Sequence, residues 1–408
     1  MRLKDITIFS PQYVGDNIDG DVSFVPMESL RNGTIDYKTI PFLKAKGKYT
    51  YFGNQDLLIA KVTPCFENGN IAIARNLLNG IGFGSSEIFV LRPNKEVISQ
   101  YLFYLSQSRD FQDKACATMC GVGGLKRISP LFMRTYEFDM PSIENQQRKV
   151  TYLDTKLSEI DHQVSLLTSK RDAYLRLKKS IINHVVTHGL NPNVKMKDSG
   201  IEWIGEVPKH WEVKRMKELS AIGSGTTPKS GEYKYYENGI HPWLNTSDVQ
   251  DCVINEAKFS ITDKALNDYS VLKYYPIGTI LIAMYGGGTI GNVALMNISA
   301  TINQACCAIV SNEKLLLPKY LFCYLKCHKK KIISLGFGGT QVNLSQAIIA
   351  QLPVVLPPLP EQHALATYLD DKCAKIDTIL SNLNKQISCY GDLKRSLIDE
   401  VITGKRAV

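Results

Sequence analysis

The sequence predicts an α+β protein in which two strand-rich domains are separated by two long helices that form an antiparallel coiled coil. The first observation is a heptad pattern of apolar residues over residues 144–187, which is typical of a helix that pairs with another helix. The second is a further copy of that pattern over residues 361–403, displaced by 216 residues. The third is that short apolar runs separated by Gly and Asn precede both copies, which indicates strands and turns. The chain is therefore expected to be an internal pseudo-repeat.

The two heptad copies agree residue by residue. The segment Thr151-Tyr-Leu-Asp154 reappears as Thr367-Tyr-Leu-Asp370. The a and d positions of both copies are mostly apolar: Val150, Leu153, Leu157, Ile160, Val164, Leu167, Tyr174, Ile181 and Val185, then Ala366, Leu369, Cys373, Ile376, Leu380, Leu383, Tyr390, Leu397 and Val401. We expect the two helices to pair within one chain. The second domain lies between them in the sequence and can bring the second helix back alongside the first in the opposite direction. Pairing between two chains is the alternative.

Three charged residues, Arg171, Lys178 and Lys394, fall on this apolar seam. One interpretation is that their charged ends extend to solvent where the helices splay apart. The other is that this part of the helices contacts another subunit.

Glycine and proline residues indicate where the domains end. A glycine motif, Gly121–Gly124 or Gly336–Gly339, and then proline precede each heptad copy, and proline is tolerated only at the start of a helix. The predicted segments are a first domain (1–140), a first helical spacer (141–190), a connector (191–215), a second domain (216–356) and a second helical spacer (357–408). The predicted internal elements are strands at Asp56–Ala60, Asn70–Ala74, Glu87–Leu91, Thr279–Ala283, Asn292–Leu295 and Ala305–Val310, with helices at Ser99–Ser106 and Pro318–Lys326.

Composition narrows the class of partner. The net charge of +9 and the pI near 8.9 favour an acidic partner such as nucleic acid. No apolar run approaches the roughly 20 residues of a membrane span, so we expect a cytoplasmic protein without a membrane partner. The ten cysteines lack zinc-ligand spacing and are expected to be reduced and mostly buried.

Three parts of the chain resemble the specificity subunit of type I restriction-modification systems. These are the duplicated glycine-proline-glutamine-heptad block, the connector Ser199–Trp211 and the ending Val401–Lys405. The resemblance implies two target recognition domains, each of which reads one half of a bipartite site in double-stranded DNA. The chain differs in starting near Arg2-Leu-Lys, the counterpart of Arg215-Met-Lys, without a tryptophan-rich preamble.

The resemblance also implies partner subunits. They are two adenine methyltransferase subunits and further restriction and translocase subunits. S-adenosylmethionine is then expected in the methyltransferase, and no cofactor is expected in this chain.

Loop residues that can bind phosphates or base edges are the candidate DNA contacts. For each of them a solvated surface or a flexible hairpin is the alternative interpretation. The candidates are Lys126 and Arg127 after the first glycine motif, Gln341 and Asn343 after the second, Tyr285, Gly287 and Thr289 in a loop between strands, and Lys329 and Lys330 in a basic cluster expected to follow a helix.

Motifs for catalysis are incomplete. The pattern Gly286-Gly-Gly-Thr-Ile-Gly291 precedes a strand-like run, whereas a dinucleotide site needs a helix there. Glu212-Val-Lys214 belongs to the connector, and His184 and His188 lack the acidic residue of a zinc hydrolase. The Asp/Asn-Pro-Pro-aromatic signature of amino-methyltransferases does not occur in the sequence. The sequence therefore predicts a non-catalytic subunit.

Two other functions remain open at this point. An orphan sequence-specific DNA-binding protein would share the domains but have no methyltransferase partner. A purely structural coiled-coil linker would explain the helices but leave both strand-rich domains and the positive charge without a role.

Helix length is expected to set the distance between half-sites. A helix of about 44 residues is about 65 Å long, comparable to about 19 base pairs. Insertion of one heptad into one copy should therefore lengthen the tolerated spacer, measured by mapping methylated motifs. A variant that folds normally and recognises an unchanged spacer would contradict this ruler hypothesis.

Overall fold

A computed structural model describes residues 1–121, 124–338 and 342–408 of the chain. The chain forms two compact units. The first unit comprises Met1–Ser169 and Leu383–Val408, and the second comprises Lys170–Asn382.

The first unit is built on two four-stranded sheets. Its strands are β1 (Thr7–Phe9), β2 (Asp21–Val25), β3 (Lys38–Pro41), β4 (Thr50–Gly53), β5 (Leu57–Ala60), β6 (Ile71–Ile73), β7 (Ile81–Gly84) and β8 (Ile88–Pro93). Its helices are α1 (Leu3–Ile6), α2 (Phe42–Ala45), α3 (Ser99–Gln107), α4 (Arg109–Ala117) and α5 (Pro130–Thr135), followed by the long helix α6 (Ile143–His188). The strand orders are β1-β8-β5-β6 and β3-β2-β7-β4.

The second unit repeats this plan with changes at the edges. Its strands are β9 (Met196–Asp198), β10 (Glu206–Pro208), β11 (Glu212–Arg215), β12 (Ser220–Ser224), β13 (His241–Leu244), β14 (Cys252–Ile254), β15 (Phe259–Ile261), β16 (Ile280–Ala283), β17 (Val293–Met296), β18 (Thr301–Ile302), β19 (Cys306–Ser311) and β20 (Pro353–Leu356). Its helices are α7 (Met216–Leu219), α8 (Asp263–Asp268), α9 (Pro318–Ser334) and α10 (Gln346–Ala350), followed by the long helix α11 (Leu359–Ile402). The larger sheets have the orders β12-β19-β16-β17-β14 and β15-β13-β18.

Corresponding strands occupy corresponding places in the two units. The order β12-β19-β16-β17 matches β1-β8-β5-β6, and the parallel pair β13–β18 matches the parallel pair β2–β7. The central strands β5 and β16 are buried at every residue, which explains why both read as unbroken apolar runs. The predicted strands are therefore confirmed to within a residue or two at their ends. The correspondence of Arg2 and Arg215 is also confirmed, because Arg2 pairs with Glu137 and Arg215 with Pro353.

The long helices pair within one chain and run antiparallel. In the first unit the start of α6 packs on the end of α11, where Leu153 and Val401 are both buried in one core. In the second unit the end of α6 packs near the start of α11, where Val185 and Leu369 share another core. This confirms the predicted antiparallel pairing of the helices within one chain.

The seam lysines form ion pairs that neither interpretation from the sequence included. In the first unit Lys394 Nζ lies 2.6 Å from Asp161 Oδ1. In the second unit Lys178 Nζ lies 2.6 Å from Asp377 Oδ1. These are the same two positions of the repeat, so each copy contributes one lysine and one aspartate. Arg171 instead pairs with its neighbour Asp172.

The cysteine expectation is only partly met. All ten cysteines are free, but only Cys306 and Cys307, both in β19, are buried. The prediction that most are buried is wrong: six of the others are half-buried, several of them at the edge of a hydrophobic core, and Cys120 and Cys389 are exposed.

A fully buried glutamine joins each long helix to the strand-rich part of its unit. Gln146 Oε1 accepts from the backbone N–H of Ile98 at 2.9 Å, and its amide donates to the carbonyls of Glu96 and Pro141. Gln362 repeats these bonds in the second unit. It accepts from Leu317 at 2.8 Å and donates to the carbonyls of Leu315 and Pro357. Ile98 and Leu317 precede α3 and α9, so the glutamine satisfies the first free N–H of each helix.

Replacement of Gln146 by Met should lower the free energy of unfolding by at least about 2 kcal/mol, because it leaves buried backbone groups without hydrogen-bond partners. Urea unfolding of the full chain measures the change. The matched control is Gln147→Met on the neighbouring exposed position, which should change stability by less than about 0.5 kcal/mol. Equal effects of the two variants would contradict the anchoring role.

Candidate nucleic-acid interface

In the first unit, the segment after the glycine motif pairs with the loop that follows β5. Thr63 donates its backbone N–H to the carbonyl of Lys126, and the Thr63 hydroxyl accepts from the Lys126 N–H, each at 3.0 Å. Ile128 N–H donates to Lys61 O at 3.0 Å. Cys120 and Arg127 pair with each other and form the base of a hairpin, of which residues 122 and 123 lie outside the described residues. The hairpin is thus held against the end of a central strand.

The second unit has the corresponding hairpin. Phe337 and Asn343 pair across its base, and Leu344 N–H donates to Met284 O at 2.7 Å, at the end of β16. Asn343 therefore holds the position that Arg127 holds in the first unit. Both candidates follow the repeated glycine motif in the sequence, and the backbone hydrogen bonds show that they are equivalent.

Arg127 is held by an acidic neighbour. Its guanidinium lies 2.8 Å from Glu87 Oε1, and its Nε lies 3.0 Å from Oε2. The hydrogen bond from Arg127 lowers the pKa of the Glu87 carboxyl, against an opposing effect of burial. About half of the Arg127 side chain remains exposed, and Lys126 beside it is exposed as well. Both side chains are therefore accessible from solvent.

The loop Tyr285–Gly291 lies between β16 and β17, as predicted. Tyr285 and Gly287 are exposed and Thr289 is half-buried. The N–H groups of Thr289 and Ile290 donate to Gly286 O, which closes a tight turn. Gly286 has a φ of 116°, and a Cβ there would lie 2.5 Å from Thr289 Oγ1, so the turn requires glycine. The strand β17 follows the loop, which agrees with the rejection of a dinucleotide site.

The basic cluster lies within a helix, so the prediction that it follows a helix is wrong. No proline or glycine interrupts the chain between Lys326 and Ser334, and α9 continues to Ser334. Lys329 Nζ donates to Asp251 Oδ2 at 2.8 Å and also contacts the Asn292 side chain. Lys330 is exposed. Of the two predicted lysines, Lys329 thus joins α9 to neighbouring loops, whereas Lys330 faces solvent.

Two predicted contacts remain, Asn343 and Gln341, and only Asn343 lies among the described residues. Asn343 is half-buried and exchanges both backbone hydrogen bonds with Phe337, at 2.8 and 2.9 Å. Gln341 lies outside the described residues. Sequence reasoning missed Glu87 and Asp251, the acidic partners of Arg127 and Lys329. They lie 40 and 78 residues from these partners, and no local pattern connects them.

The residues of the rejected catalytic motifs have other contacts. Lys214 Nζ lies 2.7 Å from Glu212 Oε2 on the same strand. The rings of His184 and His188 stack with centroids 4.9 Å apart, and burial lowers the pKa of His188. Among the described residues, no group of three or more His, Cys, Asp or Glu side chains is arranged to hold a metal ion. In the same residues, no helix is long and apolar enough to cross a membrane.

Solved structures share this fold. A chain from a study of complex assembly and conformational transition of the type I R-M system aligns with 100% of this chain and 97% of its own length, with a TM-score of 0.80 and 17% identity. The HsdS subunit from Thermoanaerobacter tengcongensis aligns with 100% of this chain and 96% of its own length, with a TM-score of 0.56 and 17% identity.

Curated relatives are specificity subunits of type I restriction enzymes. The EcoAI subunit of Escherichia coli is 29% identical over 184 residues, which is 44% of this chain and 31% of that protein. The MjaVIII subunit of Methanocaldococcus jannaschii is 23% identical over 398 residues, which is 96% of this chain and 88% of that protein. The alignment thus spans about a third of the first relative and most of the second.

The family description "Type I restriction modification DNA specificity domain" matches residues 8–166 and 208–388, which include most of the strand-rich part of each unit, about half of α6 and about two thirds of α11. With the repeated sheets, the paired helices and the two equivalent hairpins, this match means that the chain belongs to the type I restriction-modification DNA specificity family.

Proposed function

We propose that the chain is the DNA sequence-recognition subunit of a type I restriction-modification complex. In this proposal each strand-rich domain reads one half of a bipartite site in double-stranded DNA. The chain itself is non-catalytic, and two adenine methyltransferase subunits that use S-adenosylmethionine carry out the modification. Restriction and translocase subunits complete the complex in the cytoplasm.

The equivalent hairpins are the observation that carries this proposal. Each is held by backbone bonds to the end of a central strand, yet the same position is Arg127 in one and Asn343 in the other. Arginine pairs best with guanine and asparagine with adenine in the major groove. One scaffold with two different side chains suits a protein that reads two different half-sites. The net charge of +9 supports binding to a polyanion.

A map of N6-methyladenine across the genome tests the proposed function. Cells that carry the gene and its neighbours should show a bipartite methylated motif that is lost when only this chain is deleted. The control restores the chain from a second locus and should restore the motif. An unchanged map would favour the orphan alternative, in which the chain binds DNA but directs no methyltransferase.

Substitution at the equivalent hairpin positions should change one half-site at a time. Asn343→Ala should relax the sequence preference of one half-site by a factor of about 5–100, and Arg127→Met that of the other, measured by binding to randomised duplexes. Because Arg127→Met leaves the Glu87 carboxylate unpaired, Arg127→Met with Glu87→Gln is the matched control for added repulsion. Lys330→Ala should weaken all duplexes alike. Identical preferences in all these variants would exclude the hairpins as base readers.

A further inference from the structure

A carboxylate of the first unit binds one edge of the Arg127 guanidinium. Glu87 Oε1 accepts from Arg127 Nη2 at 2.8 Å and from Nε at 3.2 Å, and Glu87 Oε2 accepts from Nε at 3.0 Å. An arginine side chain has five N–H donors in one plane, and this pair uses the donors on the edge that joins Nε and Nη2. The edge between Nη1 and Nη2 lies outside the pair.

Backbone hydrogen bonds hold Glu87 at the end of the central sheet. Glu87 directly precedes β8, and its carbonyl accepts from the Lys61 N–H at 2.8 Å. Its own N–H donates to the Ser85 hydroxyl at 3.2 Å. The Glu87 side chain is 31% exposed, whereas that of Arg127 is 51% exposed. The carboxylate thus fixes the more exposed guanidinium relative to the sheet.

A neighbouring lysine, Lys61, is bonded to the backbone. Lys61 Nζ donates to the carbonyl of Ser86 at 2.5 Å and lies 4.8 Å from the centre of the Phe89 ring. Burial lowers the pKa of Lys61, although the charge of Glu87 acts in the opposite direction. The pKa of Glu87 is lowered chiefly by its hydrogen bonds from Arg127. Arg127 is therefore the main partner of the Glu87 carboxylate.

The equivalent positions of the second unit carry no charged side chain. Met284 N–H donates to Ala305 O at 2.8 Å, as Lys61 N–H does to Glu87 O, so Ala305 holds the position of Glu87. Met284 replaces Lys61 and is buried. The hairpin residue of this unit is Asn343. A carboxylate therefore accompanies the hairpin residue only where that residue is arginine.

Arginine and asparagine differ in what they need to read a base. The arginine side chain is long, loses much rotamer entropy when it is ordered, and carries a charge that binds any phosphate. A carboxylate bonded to one edge of the guanidinium removes part of that freedom before DNA arrives and offsets the charge. Asparagine is short and neutral, so it has less need of such a partner.

On the basis of the proposed function, we infer that Glu87 is a positioning residue for base recognition by the first domain. It directs the free edge of Arg127 to N7 and O6 of a guanine in the half-site that this domain reads. Its negative charge also disfavours contact of the guanidinium with phosphates. Glu87 thereby increases discrimination between sequences and decreases affinity for DNA of any sequence.

Selection of the full chain on randomised duplexes, followed by titration of single duplexes, tests this role. Glu87→Ala should lower the preference for guanine at one position of the first half-site by a factor of roughly 5–20, because Arg127 is no longer oriented. The same variant should bind random duplexes more tightly at low salt, by a factor of about 2–5, because a negative charge is removed. Preference at the second half-site should stay unchanged.

Two variants separate orientation from charge. Glu87→Gln keeps a side-chain oxygen that accepts from Arg127, so it should bind random duplexes more tightly yet keep the guanine preference within a factor of about 2. Glu28→Ala is the matched control, because it removes a carboxylate of the same unit that pairs with Lys38 at 3.4 Å. It should leave the guanine preference unchanged.

A modified base identifies the contact itself. Replacement of the preferred guanine by 7-deazaguanine removes the N7 acceptor and keeps the base pair. It should weaken binding of the wild-type chain roughly tenfold and binding of Glu87→Ala less than about threefold. An ion pair that only stabilises the fold would leave these two ratios equal.

The outcomes also distinguish this inference from the proposed function. A wild-type chain without sequence preference at either half-site would overturn both. Sequence preference in the wild-type chain that is unchanged in Glu87→Ala would overturn only the role of Glu87. Equal loss of preference at both half-sites in Glu87→Ala would also overturn it, because the effect would then be a general loss of structure.

Discussion

The buried amides of Gln146 and Gln362 are the constraint on which each unit depends. A glutamine in the first turn of a long helix satisfies one N–H and two carbonyls of the adjoining strand-rich part. These groups lie where water does not reach, so a shorter or apolar side chain leaves them without partners. The direction in which each helix leaves its domain is thereby tied to the start of α3 or α9. Surface loops can then vary without disturbing that junction.

The elements that the sequence predicts, six strands and four helices, are those whose signals are local. Heptad spacing located α6 and α11 to within about two residues at each end, and unbroken apolar runs located β5 and β16. The extent of α9 was underestimated, because charged lysines in its last turns resemble a loop when no packing is known. Hydrophobic periodicity reports which face is buried but not where a solvated helix end stops.

The candidate site was predicted less completely, for a different reason. Arg127 and Asn343 each follow a glycine motif in the sequence, and they have equivalent backbone positions in the structure. Their environment depends on distant residues: Glu87 holds Arg127, and Asp251 engages Lys329. Contacts across 40 to 78 residues are made by sheet topology, and a single sequence does not contain the pairing. The same limit applies to Lys178 and Lys394, whose aspartate partners lie on the other long helix.

The paired lysines and aspartates have a consequence for how such a chain can change over generations. Lys178 and Lys394 occupy one position of the repeat, and Asp161 and Asp377 occupy another. Each long helix therefore supplies one lysine and one aspartate to the two ion pairs. Exchange of an entire half between related genes would keep every lysine opposite an aspartate, whatever the new strand-rich domain contained. A single charge reversal would instead break one match. Exchange of a whole half of the chain is thus compatible with the helix pair, whereas single substitutions at its lysine and aspartate positions are restricted.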